Sequence, residues 1–323
     1  MMASARSLLR APWFGPLVAL LAIYVVFALV SPHRDFATLD LGVTMARQTV
    51  VVGIVAVGMT LVIAHGGIDL SVGSSVALTT VVIATALNAG MSPTLAALTG
   101  IAAATATGFV NGVLVTSLRM APFIVTLGAM SILRGAAKGL AKETMVTIRE
   151  GGGAVLEKLT LAPPSRTLVL PASVWITLFV ALLAAALFRY TAFGRHVFAI
   201  GSNEQAARLC GVHVPRVKIL VYTIAGALTG LAGLMEFSTL TVGDPTDSNG
   251  LELDVIASVV IGGASLSGGE GSVAGSLVGA CLMTVIRTGC TNVGLPTWVQ
   301  QVVTGVIIIV AVALDRFRHA RNR

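Results

Sequence analysis

His65-Gly66-Gly67-Ile68-Asp69-Leu70-Ser71-Val72-Gly73-Ser74 is a polar, glycine-rich stretch between two uncharged apolar runs, Val50 to Ala64 and Val76 to Ala89. A carboxylate this close to hydrocarbon costs about 2.5–3.5 kcal/mol on insertion scales unless it is paired or faces water. Gly66 and Gly67 can adopt backbone angles that stop a helix, and Asp69 and Ser71 carry oxygens able to cap the helix that follows. Irregular backbone inside a membrane is tolerated only where protein covers it or where it lines a cavity, so the stretch is a candidate wall of a pathway. For Asp69 alone there is a plainer reading: a helix cap buried against a neighbour and touching no substrate.

The rest of the chain sets this break in a membrane. Of 323 residues, 55% are hydrophobic and 11% charged, with a mean hydropathy of +0.92, whereas soluble domains carry about 25% charged residues. The fold class expected is therefore an all-α polytopic membrane protein, a single transmembrane domain over 1–323. Thirty-five glycines let helices approach closely. The first apolar run is expected to stay as an anchor. The net charge of +7 sits in a few loops and the tail, which points to membrane orientation and not to nucleic acid. Cys210, Cys281 and Cys290 show no CxxC spacing, and the five histidines are scattered, so no disulfide framework and no metal site is indicated.

Working outward, Arg6 and Arg10 precede a first span from Phe14 to Val30 and place the N-terminus in the cytoplasm. The second span ends at the Gly66-Gly67 break, the third runs to Ala89, the fourth from Thr94 to Leu118 and the fifth from Phe123 to Leu140. Within the fourth, Asn111 either hydrogen-bonds across helices or faces a polar cavity. Arg134, near the end of the fifth, can snorkel to the interface and is not read as a ligand. Residues 141–171 form an external loop of mixed charge, with His33, Arg34, Glu150, Gly151, Gly152 and Arg166 among its and a shorter loop's polar positions. The sixth span, Ala172 to Phe188, returns the chain to the cytoplasm.

Residues 189–218 are rich in positive charge and read as a cytoplasmic loop. Within it Ser202 or Asn203 can cap a short helix whose Ala206, Ala207 and Leu209 make one face, and Gly211 can end it. So short a helix needs a partner surface. After a seventh span, Ile219 to Phe237, an external loop from Ser238 to Asp254 concentrates acceptors, Asp244, Glu252 and Asp254 among them. A short apolar run, Val255 to Ile261, then meets a second break, Gly262-Gly263-Ala264-Ser265-Leu266-Ser267-Gly268-Gly269-Glu270-Gly271. It aligns with Gly66-Gly67-Ile68-Asp69-Leu70-Ser71, and Ser75-Val76-Ala77 aligns with Ser272-Val273-Ala274 after a shift of one. Paired interruptions in two halves point to a substrate path at a repeat interface. Two last spans, Val273 to Arg287 and Trp298 to Leu314, lead to Arg316, Arg318, His319, Arg321 and Arg323, which put the C-terminus in the cytoplasm. The count is then about ten crossings, with about eight if two weak runs dip and return.

These motifs carry a family likeness. Gly58-Met59-Thr60 leading into Gly66 to Ser74, Pro122-Phe123-Ile124-Val125-Thr126-Leu127-Gly128, Ala199-Ile200-Gly201 through Glu204, Ala206, Ala207 and Gly211, and Glu252 to Ala257 through Gly262-Gly263 together resemble the permease subunits of bacterial ribose-type sugar ABC importers, from about Gln48 to Asp315. Leu251 stands where family members commonly have an aromatic residue, and Cys210 where many have Ser. The resemblance implies a type II importer-like permease in the bacterial inner membrane, working as a homodimer or pseudo-dimer with a cytoplasmic ABC ATPase and a periplasmic sugar-binding protein. It further implies that Asn203, Glu204, Ala206, Ala207, Arg208 and Gly211 form the coupling helix that docks in the ATPase. Asp69, Ser71, Asn111, Ser265 and Ser267 are the candidate substrate pathway for a simple sugar, and Asp244, Glu252 and Asp254 the candidate outer gate or binding-protein contact.

The chain has no GxxxxGK[ST] phosphate loop, so it binds no ATP and needs no cofactor; ATP and Mg belong to the partner ATPase. An ion-coupled secondary transporter, with Asp69 or Asp254 as a proton or sodium site, is the competing reading, and Glu204 to Gly211 is a helix such a carrier would not require. Nucleoside and branched-chain amino acid permeases remain related cargo classes. A membrane enzyme would need a nucleophile and base or a metal cluster, and no such pattern is present.

Overall fold

The structure is a computed structural model describing residues 13–31, 35–149, 153–161 and 170–321, with the side chains of 314–321 outside that description. Arg6, Arg10, His33, Arg34, Glu150, Gly151, Gly152, Arg166 and Arg323, named above for loop charge, lie outside the described residues. Among the described residues, six helices are long and apolar enough to cross a membrane: α2 (Leu39–Ala64), α4 (Pro93–Ser117), α5 (Pro122–Leu140), α7 (Ala172–Tyr190), α10 (Val214–Leu240) and α12 (Val273–Asn292). Three shorter apolar helices accompany them, α1 (Phe14–Val30), α3 (Val72–Asn88) and the apolar part of α13 (Thr297–Arg321). The remaining helices are the short α6 (Ala154–Glu157), α8 (Ala192–Ser202), α9 (Glu204–Leu209) and α11 (Leu251–Ile261). A two-stranded ribbon, β1 (Val146–Thr147) with β2 (Val242–Gly243), marks one end of the bundle, and α8–α9 mark the other.

The second helix is the centre. Every residue from Val50 to Ala64 is buried, as expected of a run that is apolar all round. Around it, glycines let helix backbones meet. Gly108 and Gly112 of α4 face Tyr222 and Ile219 of α10, and a Cβ at Gly112 would stand 2.8 Å from the Ile219 Cα. One turn on, Gly226 and Gly230 face Ala104 and Ile101. Both helices thus carry Gly-x-x-x-Gly at their contact, the small-residue spacing of close membrane crossings. In the second half, Gly275 and Gly279 of α12 face Gly262 and Ser258 in the same way. Hydroxyls in this dry interior donate to carbonyls one turn back, as Thr60 does to Ala56 at 2.6 Å while accepting from or donating to Ser276 at 2.8 Å, which satisfies them without water.

The chain between β2 and α12 departs from the simple external loop that the sequence suggests. Gly243 packs on Val81 and Ala84, near the ribbon end of α3, whereas Ser248 and Glu252 pack on Gly73 at its beginning. At 1.5 Å per residue the chain has descended about 12 Å along α3 by then. Only there does α11 start, and its 11 residues run about 16 Å to the far end. So 242–261 traverses the bundle as a short strand, then a run of turns over 245–250, and then a half-helix. Thr241 and Ser248 carry positive φ, +55° and +56°, costing about 1–2 kcal/mol each for a side-chain-bearing residue. Arg134 does not snorkel: its guanidinium donates to the carbonyls of Pro245 at 2.9 Å and Asp247 at 2.7 Å, tying the descending segment to α5.

Candidate translocation and coupling site

The helices before the two breaks end identically. After α2, Gly66 N–H bonds to the Ile63 carbonyl and Gly67 N–H to that of Val62; after α11, Gly263 N–H bonds to Val260 and Ala264 N–H to Val259. Both are Schellman ends, with Gly66 at φ +88° and Gly263 at +93°. The structural equivalence therefore pairs Gly66 with Gly263, one residue off the alignment Gly66 to Gly262, and agrees with the later match of Ser75 to Ser272.

At the α8–α9 end the two breaks meet. Gly269 N–H donates to the Ala64 carbonyl at 2.9 Å. Gly201, at the end of α8, lies so close that a Cβ there would collide with both the Ala64 oxygen and the Gly269 nitrogen. Gly268 in turn faces Gly201 and Gly66. The hairpin that follows is well fixed. Asn203 Oδ1 caps α9 through Ala206 N–H at 2.9 Å, Gly211 leaves it at φ +84°, and the Glu204 carboxylate bridges Lys218 at 2.7 Å and Arg208 at 2.9 Å. The hydrogen bond from Lys218, ahead of the charge of Arg208, holds the Glu204 carboxyl below the usual range. The apolar face read from Ala206, Ala207 and Leu209 does not form. Ala207 is buried, while Ala206 faces out with Arg208 and Leu209 is 89% exposed. The preceding helix α8 has Gly194, Val197 and Ile200 buried at three-residue spacing and Thr191 Oγ1 accepting from Gly194 N–H at 3.1 Å at its start, a cap and a stripe that a reading centred on the basic charge of 189–218 passes over.

The candidate pathway residues fall into separate groups. Asp69 is buried and accepts from Ser71 N–H at 2.9 Å and Ser71 Oγ–H at 2.6 Å, and Asn111 Nδ2 donates to Ser71 Oγ at 3.0 Å. This chain of bonds crosses from the first break to α4. Ser71 thus spends its hydroxyl on Asp69 and leaves the α3 terminus uncapped by its own side chain. Ser265 is buried in the turn of the second break, receiving Gly268 N–H on its carbonyl and Ser267 N–H on its hydroxyl; Ser267 is exposed. The structure does not bring these serines beside Asp69. Between the two groups sit His65 and Tyr222, edge to face at 5.5 Å between ring centres, both buried, with His65 Nε2 and the Tyr222 hydroxyl lacking partners among the described residues. Gly67 makes room for them: a Cβ there would lie 2.7 Å from each ring.

Of the outer candidates, Asp244 accepts from its own loop through Thr246, and Glu252 lies at Gly73. Asp254 is buried and paired with Arg287 at 2.7 Å. Enclosed in the bundle, Asp254 is out of reach of a docking protein, which leaves the outer gate as the expected role it can still fill. Among the described residues no group of three His, Cys, Asp or Glu is placed to hold a metal.

Apolar helices around glycine joints, with a turn segment and half-helix running through the bundle, define a multi-pass membrane permease. Residues 42–312 match the family model of branched-chain amino acid transport system permease components, and the chain belongs to that family of transport subunits. It is 38% identical over 313 residues to the ribose import permease RbsC of Escherichia coli K12, covering 97% of each chain. It is 37% identical to RbsC of Bacillus subtilis strain 168, covering 95% of this chain and 93% of that one. It is also 35% identical to the L-arabinose permease AraH of Azospirillum brasilense, covering 96% and 89%. No solved structure gives a match.

Proposed function

We propose that this permease subunit of a sugar ABC importer carries a neutral monosaccharide of the ribose and arabinose class inward by alternating access, as one of a pair of permeases. The helix pair α8–α9 faces the cytoplasm and docks on the ATPase through Asn203, Glu204, Ala206, Arg208 and the exposed Leu209, with Gly211 ending the helix and Ala207 seating it on the permease. Both termini are then cytoplasmic and the chain crosses about ten times, counting the turn segment with its half-helix as one crossing. The ribbon end faces outward, where Asp244 is the carboxylate offered toward a periplasmic binding protein, and Glu252, deeper in the bundle at Gly73, is the outer gate. ATP and Mg are used on the ATPase.

One observation carries this reading: Gly201 at the end of α8 touches Ala64 and Gly269 together. A push delivered to α9 reaches both interruptions at one point, which suits a permease driven from its cytoplasmic face and has no use in a carrier driven by an ion gradient. Asp69, Ser71 and Asn111 set the inner wall of the path, and Ser265 and Ser267 shape the turn beneath it.

The test is reconstitution in liposomes with the cognate ATPase and binding protein, following D-ribose and L-arabinose uptake. Uptake that needs ATP and both partners supports the assignment. Uptake by the purified chain alone down a sodium or proton gradient overturns it in favour of the ion-coupled carrier, with Asp69 or Asp254 as the ion site.

A further inference from the structure

Where the turn segment 244–250 descends, it roofs a cavity of about 390 Å³ between α2, α10, α11 and α12. That is the size range of small-molecule sites, about 300–1,000 Å³. Its walls combine opposite chemistries. Gln48 and Asn249 present amides, Glu236, Asp247 and Asp254 present carboxyls, and Arg287 presents a guanidinium. Between them lie apolar patches from Val51, Val52, Leu251 and Met283. A monosaccharide has the same duality, hydroxyls that both donate and accept around C–H faces. Carboxyl oxygens accept from such hydroxyls, guanidinium and amide N–H groups donate to them, and apolar side chains cover the faces. The acids here are not a bare anionic cluster. Asp254 is paired with Arg287 at 2.7 Å, and Arg47 lines the same cavity, so positive charge offsets the carboxyls toward a neutral guest.

The position is equally specific. Asp254 lies in the first turn of the half-helix, beyond a segment fixed by the two bonds from Arg134 and by close approach to Gly73, where a Cβ would stand 2.5 Å from the Ser248 oxygen. Half-helices that begin inside the bilayer mark substrate sites in transporters. The other cavity beside a pathway candidate, about 440 Å³ next to Asn111, is lined apart from that amide and Thr107 by apolar side chains and offers a polyol almost no partners.

We propose that the Glu236–Asp247–Asn249–Asp254–Arg287 cavity is the resting site of the sugar in the outer half of the pathway, reached after release from the binding protein. The proposal rests on the sugar-importer reading above. It moves the polar contacts that orient substrate from the first break, where Asp69 is occupied by Ser71, to the turn segment 244–250 and the helices facing it.

The experiment uses the full complex in liposomes, measuring D-ribose imported per ATP hydrolysed. Glu236→Gln removes an acceptor with little change of shape, and Asn249→Trp fills the cavity from its rim. Each is expected to lower the sugar-to-ATP ratio about five- to tenfold, the worth of one or two hydrogen bonds to a guest. An unchanged ratio, whether or not both rates fall together, overturns the site. A second measurement does not depend on turnover: in Asn249→Cys complexes, millimolar D-ribose should slow modification of that cysteine by a membrane-impermeant maleimide about threefold or more. Equal rates with and without sugar overturn the proposal. If the wild-type complex imports neither D-ribose nor L-arabinose, the importer reading fails before any variant is compared, and this site fails with it.

Discussion

Gly269 and Ala64, from opposite halves of the chain, are joined by a backbone hydrogen bond of 2.9 Å, and the last turn of α8 is pressed against both. Gly201 has no room for a methyl group there. Gly201→Ala is expected to destabilise the permease by about 1–3 kcal/mol, the usual cost of overpacking where only backbone can yield. The thermal midpoint of the detergent-solubilised protein should fall accordingly, and ATP-driven uptake should fall further than the loss of folded protein accounts for. A variant with wild-type midpoint and uptake would show that the contact is slack.

Leu209 makes the opposite case. At 89% exposure it supports nothing within the chain, so Leu209→Asp should leave stability within about 0.5 kcal/mol. Co-purification of the ATPase in mild detergent should be lost. Retention of the ATPase at wild-type level would move the docking surface elsewhere on 189–218.

Glu204 gives the coupling hairpin a pH dependence whose sign is fixed. Lys218 and Arg208 favour its charged form, and its carboxyl lies below the ordinary value, which for Glu is about 4.3. The stabilisation is therefore complete above that ordinary value and is lost as pH falls through the lowered one. The protection of amides 203–211 against hydrogen exchange, taken relative to the intrinsic rate at each pH, should stay high at neutral pH and fall only under acid conditions below the usual carboxylate range. Glu204→Gln should speed exchange at pH 7 about two- to fivefold, the scale of partly exposed ion pairs.

Arg134 holds the turn segment by two carbonyls. Arg134→Met leaves both without their charged donor and should cost about 1.5–3 kcal/mol, read as a lower thermal midpoint. Both bonds leave one nitrogen, Nη1, so Arg134→Lys, whose ammonium carries three donors, should recover most of this. A lysine variant no more stable than the methionine one would mean that the reach of the longer guanidinium is what the segment requires.

Much of this arrangement is written locally. Gly66 and Gly263 announce helix ends because few other residues take their backbone angles, and Asn203 and Gly211 bracket α9 by the ordinary rules of caps. The reach of Arg134 across to Pro245 and the descent of 244–250 beside α3 are not local. Both depend on Gly73, distant in sequence, having no side chain. Asp254 illustrates the same limit. As a carboxylate at the start of an apolar run it reads as an interface residue, and only the packing of the bundle around it, with Arg287 of the next helix as its partner, shows that it is enclosed. The single-residue offset between the two breaks was likewise hidden by repeated glycines, which align almost as well in either register.

The meeting of Gly66, Gly201 and Gly268 has a mechanical corollary. A joint cushioned by long side chains has play, because rotamers can change before backbones move. Here backbone rests on backbone, and close-packed atoms barely compress. A small displacement of α8 therefore has nowhere to dissipate and must appear as a comparable displacement of both break segments, which makes the junction a linkage with almost no backlash.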